Sequence, residues 1–230
     1  MLNELGRLIV SGELATGSTM LAEQIEKQHN VSRSVVREAT RVLQSLGLVE
    51  SVKRVGMRVL PMSAWNLYDP LLIRWRLAET ANGAQLRSLT ELRMAIEPRA
   101  AELAATFAPD EITGELLALA AQMRSVGRQG DLELFLELDI RFHSIVLAAS
   151  GNEMFARLDG VIGEVLTGRT DQGLMPQRPH EEALQWHVDV ADAIQGKRPA
   201  EARAAMERIM SRTHTEVEQI WDGEPRLYLR

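Results

Sequence analysis

There is no cysteine in the 230 residues. Disulfides and thiolate-built zinc sites are therefore excluded, and nothing favours an oxidising compartment. No apolar run approaches the ~20 residues needed to span a bilayer. The opening MLNELGRLIVSGEL lacks the basic stretch and long apolar core of a secretory signal. There is no internal repeat, no low-complexity tract, and no strand-like alternation beyond residue 61. What remains is ordinary globular composition, 45% hydrophobic and 25% charged, enough for one or two domains. A cytoplasmic protein with no membrane partner is the expectation.

The net charge of −6 is unevenly spread. Residues 1–60 hold eight basic and six acidic side chains, a balance of +2, and the rest hold 18 and 26, a balance of −8. This asymmetry fits a small nucleic-acid-reading module joined to an acidic regulatory one.

The first 61 residues alternate short helices with turns. Leu5, Leu8 and Ile9 form a helical stripe that Gly12 ends, and Glu13–Ser18 reads as a turn. A second helix spans about Leu21 to His29. Ser32 is placed to cap a third, which runs to about Leu46 before Gly47. LVES and GMRVL then read as two strands around the basic turn Lys53-Arg54-Val55. Helix, helix, turn, helix and a two-stranded wing make a winged helix-turn-helix. A connector follows over 62–82. Helices are expected over 71–79, 83–106, 110–127, 131–149, 152–170, 180–195 and 199–220. The fold class is thus mainly α, with an all-α antiparallel bundle over 83–222.

In the third helix Ser32, Arg33, Ser34, Arg37 and Arg41 lie at its start or on one side. Val35, Val36, Ala39, Val42, Leu43 and Leu46 lie opposite. A recognition helix needs this division, since its apolar side packs on its own domain while the polar start enters the major groove of double-stranded DNA. Arginine offers a planar fork for guanine or phosphate. Lys53, Arg54 and Arg58 on the wing could reach a neighbouring backbone or the minor groove.

Further on, Asp139 and His143 stand four residues apart in LELDIRFHSIV, on one helix face. Carboxylate plus imidazole suits a divalent cation such as Zn, Ni or Mn, and equally suits a plain hydrogen bond. His187, beside Trp186 in LQWHVDVADAI, offers a third ligand or a satisfied core histidine. A metallohydrolase using these three with Glu181 or Glu182 as base is one rival, although HEE at 180–182 is not HExxH because position 184 is Leu184. A helical adaptor is another, and it would show no salt-dependent DNA binding.

The stretch from Ile9 to Val59, most specifically VSRSVVREATRVLQSLGLV, resembles the DNA-binding domain of the GntR family of bacterial regulators. It departs from the family in the second helix, where LAEQIE stands in place of a run with an arginine, and in the wing, where RVGM replaces a glycine-richer turn. Residues 85–220 are similar to the FCD effector domain of the FadR-type branch, through SLTELRMAIEPRAAELAA, LDIRFHSIVLAASGN and WHVDVADAIQGKRPAEARAAM. This resemblance implies a homodimeric repressor on a short palindromic operator, not an enzyme, released by a small carboxylate. It also implies a metal held by Asp139, His143 and His187, with Ile209 where the family has a fourth histidine; His214 is poorly aimed to replace it. Arg93 matches the arginine implied to grip the effector carboxylate, though a salt bridge to Glu97 at i+4 is open to it too. Trp186 is expected on the pocket wall. Within the branch, WNLYDPLLIRW and the MPQ…H segment are most similar to regulators of galactonate and related sugar acids.

Overall fold

Helix α1 (Leu2–Val10) turns Leu5 and Ile9 into the core of the N-terminal region, as its apolar stripe requires. The computed structural model describes residues 1–79, 83–226 and 228. By its internal contacts the chain forms two compact units, Met1–Asn82 with Pro225–Arg230, and Gly83–Glu224.

In the first unit, α2 (Ala22–His29) and α3 (Arg33–Ser45) form the helix-turn-helix, with Asn30 in the left-handed region between them. Leu21 has no side-chain acceptor to cap α2; instead Gln24 accepts from the Leu21 N–H at 2.9 Å. Ser32 occupies the cap position of α3, but its hydroxyl meets that of Ser34 at 2.8 Å rather than a backbone N–H. Val36, Ala39 and Leu43 face the core, whereas Val35 is 45% exposed, against the expectation that it packs inward. Val35 sits in the first turn with Ser32, Arg33 and Ser34, all exposed, so this end of the helix stands clear of the core.

The wing consists of β2 (Val49–Val52) and β3 (Gly56–Val59), paired antiparallel with Val49 opposite Val59 and Ser51 opposite Met57. The sheet has a third strand, in the two residues between the expected turn and the expected second helix. β1 (Thr19–Met20) pairs antiparallel with β3, giving the order β1-β3-β2. Two residues are too few to show a period of two, and the pairing is imposed by β3, with Gly17 donating to the Val59 carbonyl at 2.9 Å. Gly56 permits the approach: its φ is +102°, and a Cβ there would lie 2.3 Å from the Met20 carbonyl oxygen.

The connector contributes α4 (Pro70–Leu77), capped by Asp69, whose carboxylate accepts from the Leu71 N–H at 2.9 Å. α4 packs on α1. Trp75 lies over Gly6, where a Cβ would fall 2.4 Å from the ring, and donates to Asn3 Oδ1 at 3.3 Å.

The second unit is the expected helical bundle: α5 (Gly83–Phe107), α6 (Asp110–Gln129), α7 (Leu132–Ala149), α8 (Glu153–Ala156), α9 (Asp159–Asp171), α10 (Glu181–Gln195) and α11 (Pro199–Val217). α5 packs against α7 and α11, and α10 against α6 and α11. Gly127 lets α6 and α10 close up, since a Cβ there would meet a Leu184 methyl at 2.6 Å. The single helix expected over 152–170 is two. Asn152 caps α8 through the N–H groups of Met154 and Phe155, and the chain turns at Arg157 and Leu158 before α9. The turn lets Phe155 and Leu158 both pack on the core. No helix among the described residues is long and apolar enough to cross a membrane.

Candidate functional site

Two sites emerge, one on each unit. On the first, Arg33, Arg37 and Arg41 project from one side of α3, and all are exposed. Arg41 donates to Glu38 at 2.7 Å, and on the wing Arg58 donates to Glu50 at 2.6 Å across the β2–β3 ladder. Arg33, Arg37, Lys53 and Arg54 make no ion pair with any described residue. Arg33 and Arg54 flank one depression of about 390 Å³ between the helix-turn-helix and the wing, and Arg54 reaches its place with φ +65°. A bridge from Gln44 to Ser51 at 3.1 Å ties the recognition helix to the wing. Four cations on α3 and the wing thus stand exposed without an ion pair among the described residues, the condition for gripping a polyanion.

The second site is a cavity of about 50 Å³ inside the bundle. α7 supplies Asp139 and His143, one turn apart on its buried face, and α10 supplies His187. All three are at most 6% exposed, and they offer ligand atoms within 4.8 Å of one another. Asp139 Oδ1 lies 3.4 Å from His143 Nε2 and 3.3 Å from His187 Nε2.

Hydrogen bonding on the far side of each ring decides what these atoms carry. His187 Nδ1 sits 2.8 Å from the Ala183 carbonyl, which can only accept, so the ring hydrogen is on Nδ1 and Nε2 presents a lone pair. His143 Nδ1 is in direct contact with Glu97 Oε2, so a ring hydrogen on Nδ1 faces that carboxylate and Nε2 of the neutral ring keeps a lone pair too. A carboxylate oxygen and two imidazole lone pairs therefore converge with no hydrogen between them. Asp139 Oδ1 and His187 Nε2 have no hydrogen-bond partner among the described residues. The donor set, one oxygen and two nitrogens, suits a borderline divalent cation, and the backing of each ring by a carbonyl or a carboxylate is what such ligation needs. Burial opposes charge on both His143 and Asp139, but the attraction between them, and that of Glu97 for His143, outweighs it, raising the His143 pKa and holding the Asp139 carboxyl low.

Glu97 is a functional residue whose role the sequence does not disclose. Only its i, i+4 relation to Arg93 is legible, and that pair forms: Arg93 Nε donates to Glu97 Oε1 at 2.5 Å, both side chains being at most 2% exposed. The other oxygen of Glu97 serves His143. Burial would raise the Glu97 carboxyl, yet Arg93 and His143 draw it down to about 2. Arg93 still lines the cavity, and its Nη1 has no partner among the described residues, so the salt bridge and a grip on a ligand are compatible.

Ile209 lines the cavity on α11 and offers no ligand atom. His214 is directed elsewhere, to Glu218 at 3.4 Å and the Trp221 ring. Trp186 is not on the cavity wall; it packs half-buried against the core beside His187. In its place Met175, Pro176 and Pro179 of the irregular segment 173–179 close one side. Arg169 and Glu216 also line the cavity and carry no signal in the sequence beyond helix membership. Glu181 is committed to Arg124 and Arg128, each at 2.5 Å, and its carboxyl is lowered to about 2 by their hydrogen bonds, so it is no base for a hydrolase. Glu182 is exposed and does not line the cavity.

Comparison with known proteins places both units in known families. Residues 2–59 match the bacterial regulatory proteins of the gntR family, and residues 88–212 match the FCD domain. The galactonate operon transcriptional repressor of Escherichia coli (strain K12) is 30% identical over 217 residues, 91% of this chain and 92% of that protein. An uncharacterised regulator of the same organism, YieP, is 32% identical over 150 residues, 65% of each chain. Among solved structures, Streptococcus agalactiae GntR aligns over 93% of this chain and 97% of its own, at 27% identity with a TM-score of 0.51. The chain is a transcriptional regulator, not an enzyme, and belongs to the GntR family, its N-terminal winged helix-turn-helix joined to an FCD domain.

Proposed function

We propose that this regulator is a homodimeric repressor that leaves a short palindromic operator when a small sugar acid or hydroxy acid binds beside a divalent ion in the cavity. Zn, Ni or Mn would be held by Asp139, His143 and His187, which leaves room in its coordination for the acid. The observation that carries this reading is the convergence of one carboxylate and two imidazole lone pairs next to Arg93 Nη1, which lacks a partner. Such an ion polarises and orients a ligand carboxylate or hydroxyl. Arg93 supplies an N–H for the same carboxylate, and Glu97 keeps both Arg93 and His143 in place.

At about 50 Å³ the cavity has room for an ion and a few waters, on the scale of roughly 10–15 Å³ per water. A six-carbon acid enters by displacing those waters and shifting Met175 and Pro179. Sugar acids are favoured because the relative named for the galactonate operon aligns across nearly the whole chain. The acid shifts the operator equilibrium only as far as its affinity differs between the DNA-bound and released states.

The reading is tested by fluorescence anisotropy on the operator beside the protein's own gene, with metal content measured on the same preparation. Galactonate, gluconate or lactate is expected to release DNA from protein holding about one ion per chain. Metal-free protein that responds equally well, or release by uncharged sugars alone, would sink the reading.

A further inference from the structure

The cavity contains a second cationic group that the acid-sensor reading leaves unused. Arg169, on α9, is 3% exposed and lines the cavity. Its Nη2 donates to Glu216 Oε2 at 3.2 Å, and its Nε has no hydrogen-bond partner among the described residues. Glu216 is also held by Arg212, whose Nε donates to its other oxygen at 2.8 Å. One carboxylate therefore serves two guanidinium groups. Burial and the neighbouring charge of Arg93 pull the Arg169 pKa down to about 10, against the pull of Glu216 and Asp139. A buried arginine beside another buried arginine is costly unless an anion is supplied.

The geometry of the fork says where that anion goes. The Nε and Nη2 hydrogens of arginine point the same way and match the two oxygens of one carboxylate, or two of a phosphate. Glu216 takes only the Nη2 half of this edge, and at a long distance. Glu216 and Arg212 are each 26% exposed and belong to the same helix one turn apart, so Glu216 keeps a partner if it lets Arg169 go.

We propose that Arg169 is a second anion-binding position and that Glu216 occupies it until a ligand with two anionic groups arrives. The acid then spans the cavity, one end at Arg93 and the ion, the other on the Nε–Nη2 edge of Arg169. Its chemical class is a small polyhydroxy acid with an anion at each end. A second carboxylate and a terminal phosphate satisfy the same edge. Binding removes the Arg169–Glu216 link between α9 and α11, so occupancy by a dianion changes how these helices are tied together, which a monoanion does not do. The inference rests on the acid-sensor reading and narrows it.

Calorimetric titration of the full-length, metal-loaded protein decides it, using galactonate, galactarate and 6-phosphogluconate. The first has one anionic group, the second two carboxylates on the same carbon chain, the third a carboxylate and a phosphate. At least one dianion is expected to bind about tenfold tighter than galactonate or better, the worth of one charge-assisted pair; which dianion wins tells carboxylate from phosphate. Arg169→Gln should abolish that preference and leave galactonate affinity and metal content within about twofold. Arg169→Lys keeps the charge but not the fork and should fall between. Glu216→Gln removes the internal competitor and should tighten the dianion about threefold or more, with galactonate unmoved. If Arg169→Gln fails to fold, as circular dichroism will show, the Lys and Glu216 variants carry the test. Equal affinity for one and two charges, or a dianion preference that survives the loss of Arg169 or ignores Glu216→Gln, overturns the inference and leaves the acid sensor standing. If none of the three acids binds, the acid sensor falls and the inference with it.

Discussion

The same residue type does opposite work in the two units. In the helix-turn-helix unit Arg33 and Arg37 lie in water on the outer face of α3 with no ion-pair partner among the described residues. In the bundle Arg93 and Arg169 are at most 3% exposed, enclosed with Glu97 and Asp139 and reached by the half-buried Glu216. The exposed pair costs nothing to hold and waits for a polyanion, whose affinity comes from many weak, salt-screened contacts. The buried pair is desolvated, so each polar atom left without a partner carries a penalty that a small ligand can relieve. A surface is suited to a long partner in many registers, and a cavity to one molecule. The difference can be broken or sharpened experimentally.

The largest effect should come from the buried side. Asp139→Ala removes the oxygen on which both imidazoles converge, and it should abolish metal binding rather than weaken it, as elemental analysis of protein purified without chelator would show. Full metal content in that variant would mean that the ion, if present, is held elsewhere.

On the exposed side, Arg33→Ala or Arg37→Ala should each cost about 1–3 kcal/mol in operator binding, since each removes a base or phosphate contact. Neither should alter the far-ultraviolet circular dichroism, because neither side chain is buried. A gel-shift titration in which both variants bind like wild type would show that α3 is not the reading helix.

Between these in character is Glu97→Gln. It leaves all three proposed metal ligands but weakens the acceptor beside His143 and unpairs Arg93. Outer partners of metal-bound histidines are worth about 10–100-fold in metal affinity. A zinc titration against a competing chelator should show a loss in that range. Unchanged affinity would make Glu97 a mere counter-ion for Arg93.

What was legible follows the same division. The exposed recognition face could be read because helical periodicity separates Arg33, Arg37 and Arg41 from Val36, Ala39 and Leu43 within thirteen residues of α3. The Asp139–His143–His187 cluster was half legible: Asp139 and His143 share a helix face, while His187 on α10 is brought to them by tertiary packing, which periodicity alone does not specify. Arg169 and Glu216 were not legible. They lie 47 residues apart, each on a helix where an isolated charge reads as solvated, and only tertiary packing turns Arg169 inward. Val35 misleads in the opposite sense, since an apolar residue in the first turn of a helix that projects from its domain has nothing to pack on. β1 escaped because its two residues take their conformation from β3 and not from their own pattern.

The smallest effect separates arginines within the exposed group itself. Arg37 has no ion-pair partner among the described residues, but Arg41, one turn on, donates to Glu38 at 2.7 Å. To meet a phosphate, Arg41 must first leave that carboxylate, and an exposed pair of this kind is worth a few tenths of a kcal/mol up to about 1 kcal/mol. The gain from its DNA contact is reduced by that amount. Arg41→Ala should therefore weaken operator binding only about two- to threefold, well below the loss for Arg37→Ala. Glu38→Ala should do the reverse and tighten binding slightly, because it frees Arg41 and removes a negative charge from the DNA-facing helix. Both effects should shrink as salt is raised, since exposed pairs and phosphate contacts are screened alike. Anisotropy titrations at two salt concentrations measure this directly. An Arg41→Ala loss as large as that of Arg37→Ala, or a Glu38→Ala variant that binds more weakly than wild type, would show that the Glu38–Arg41 pair positions Arg41 for the DNA instead of competing with it.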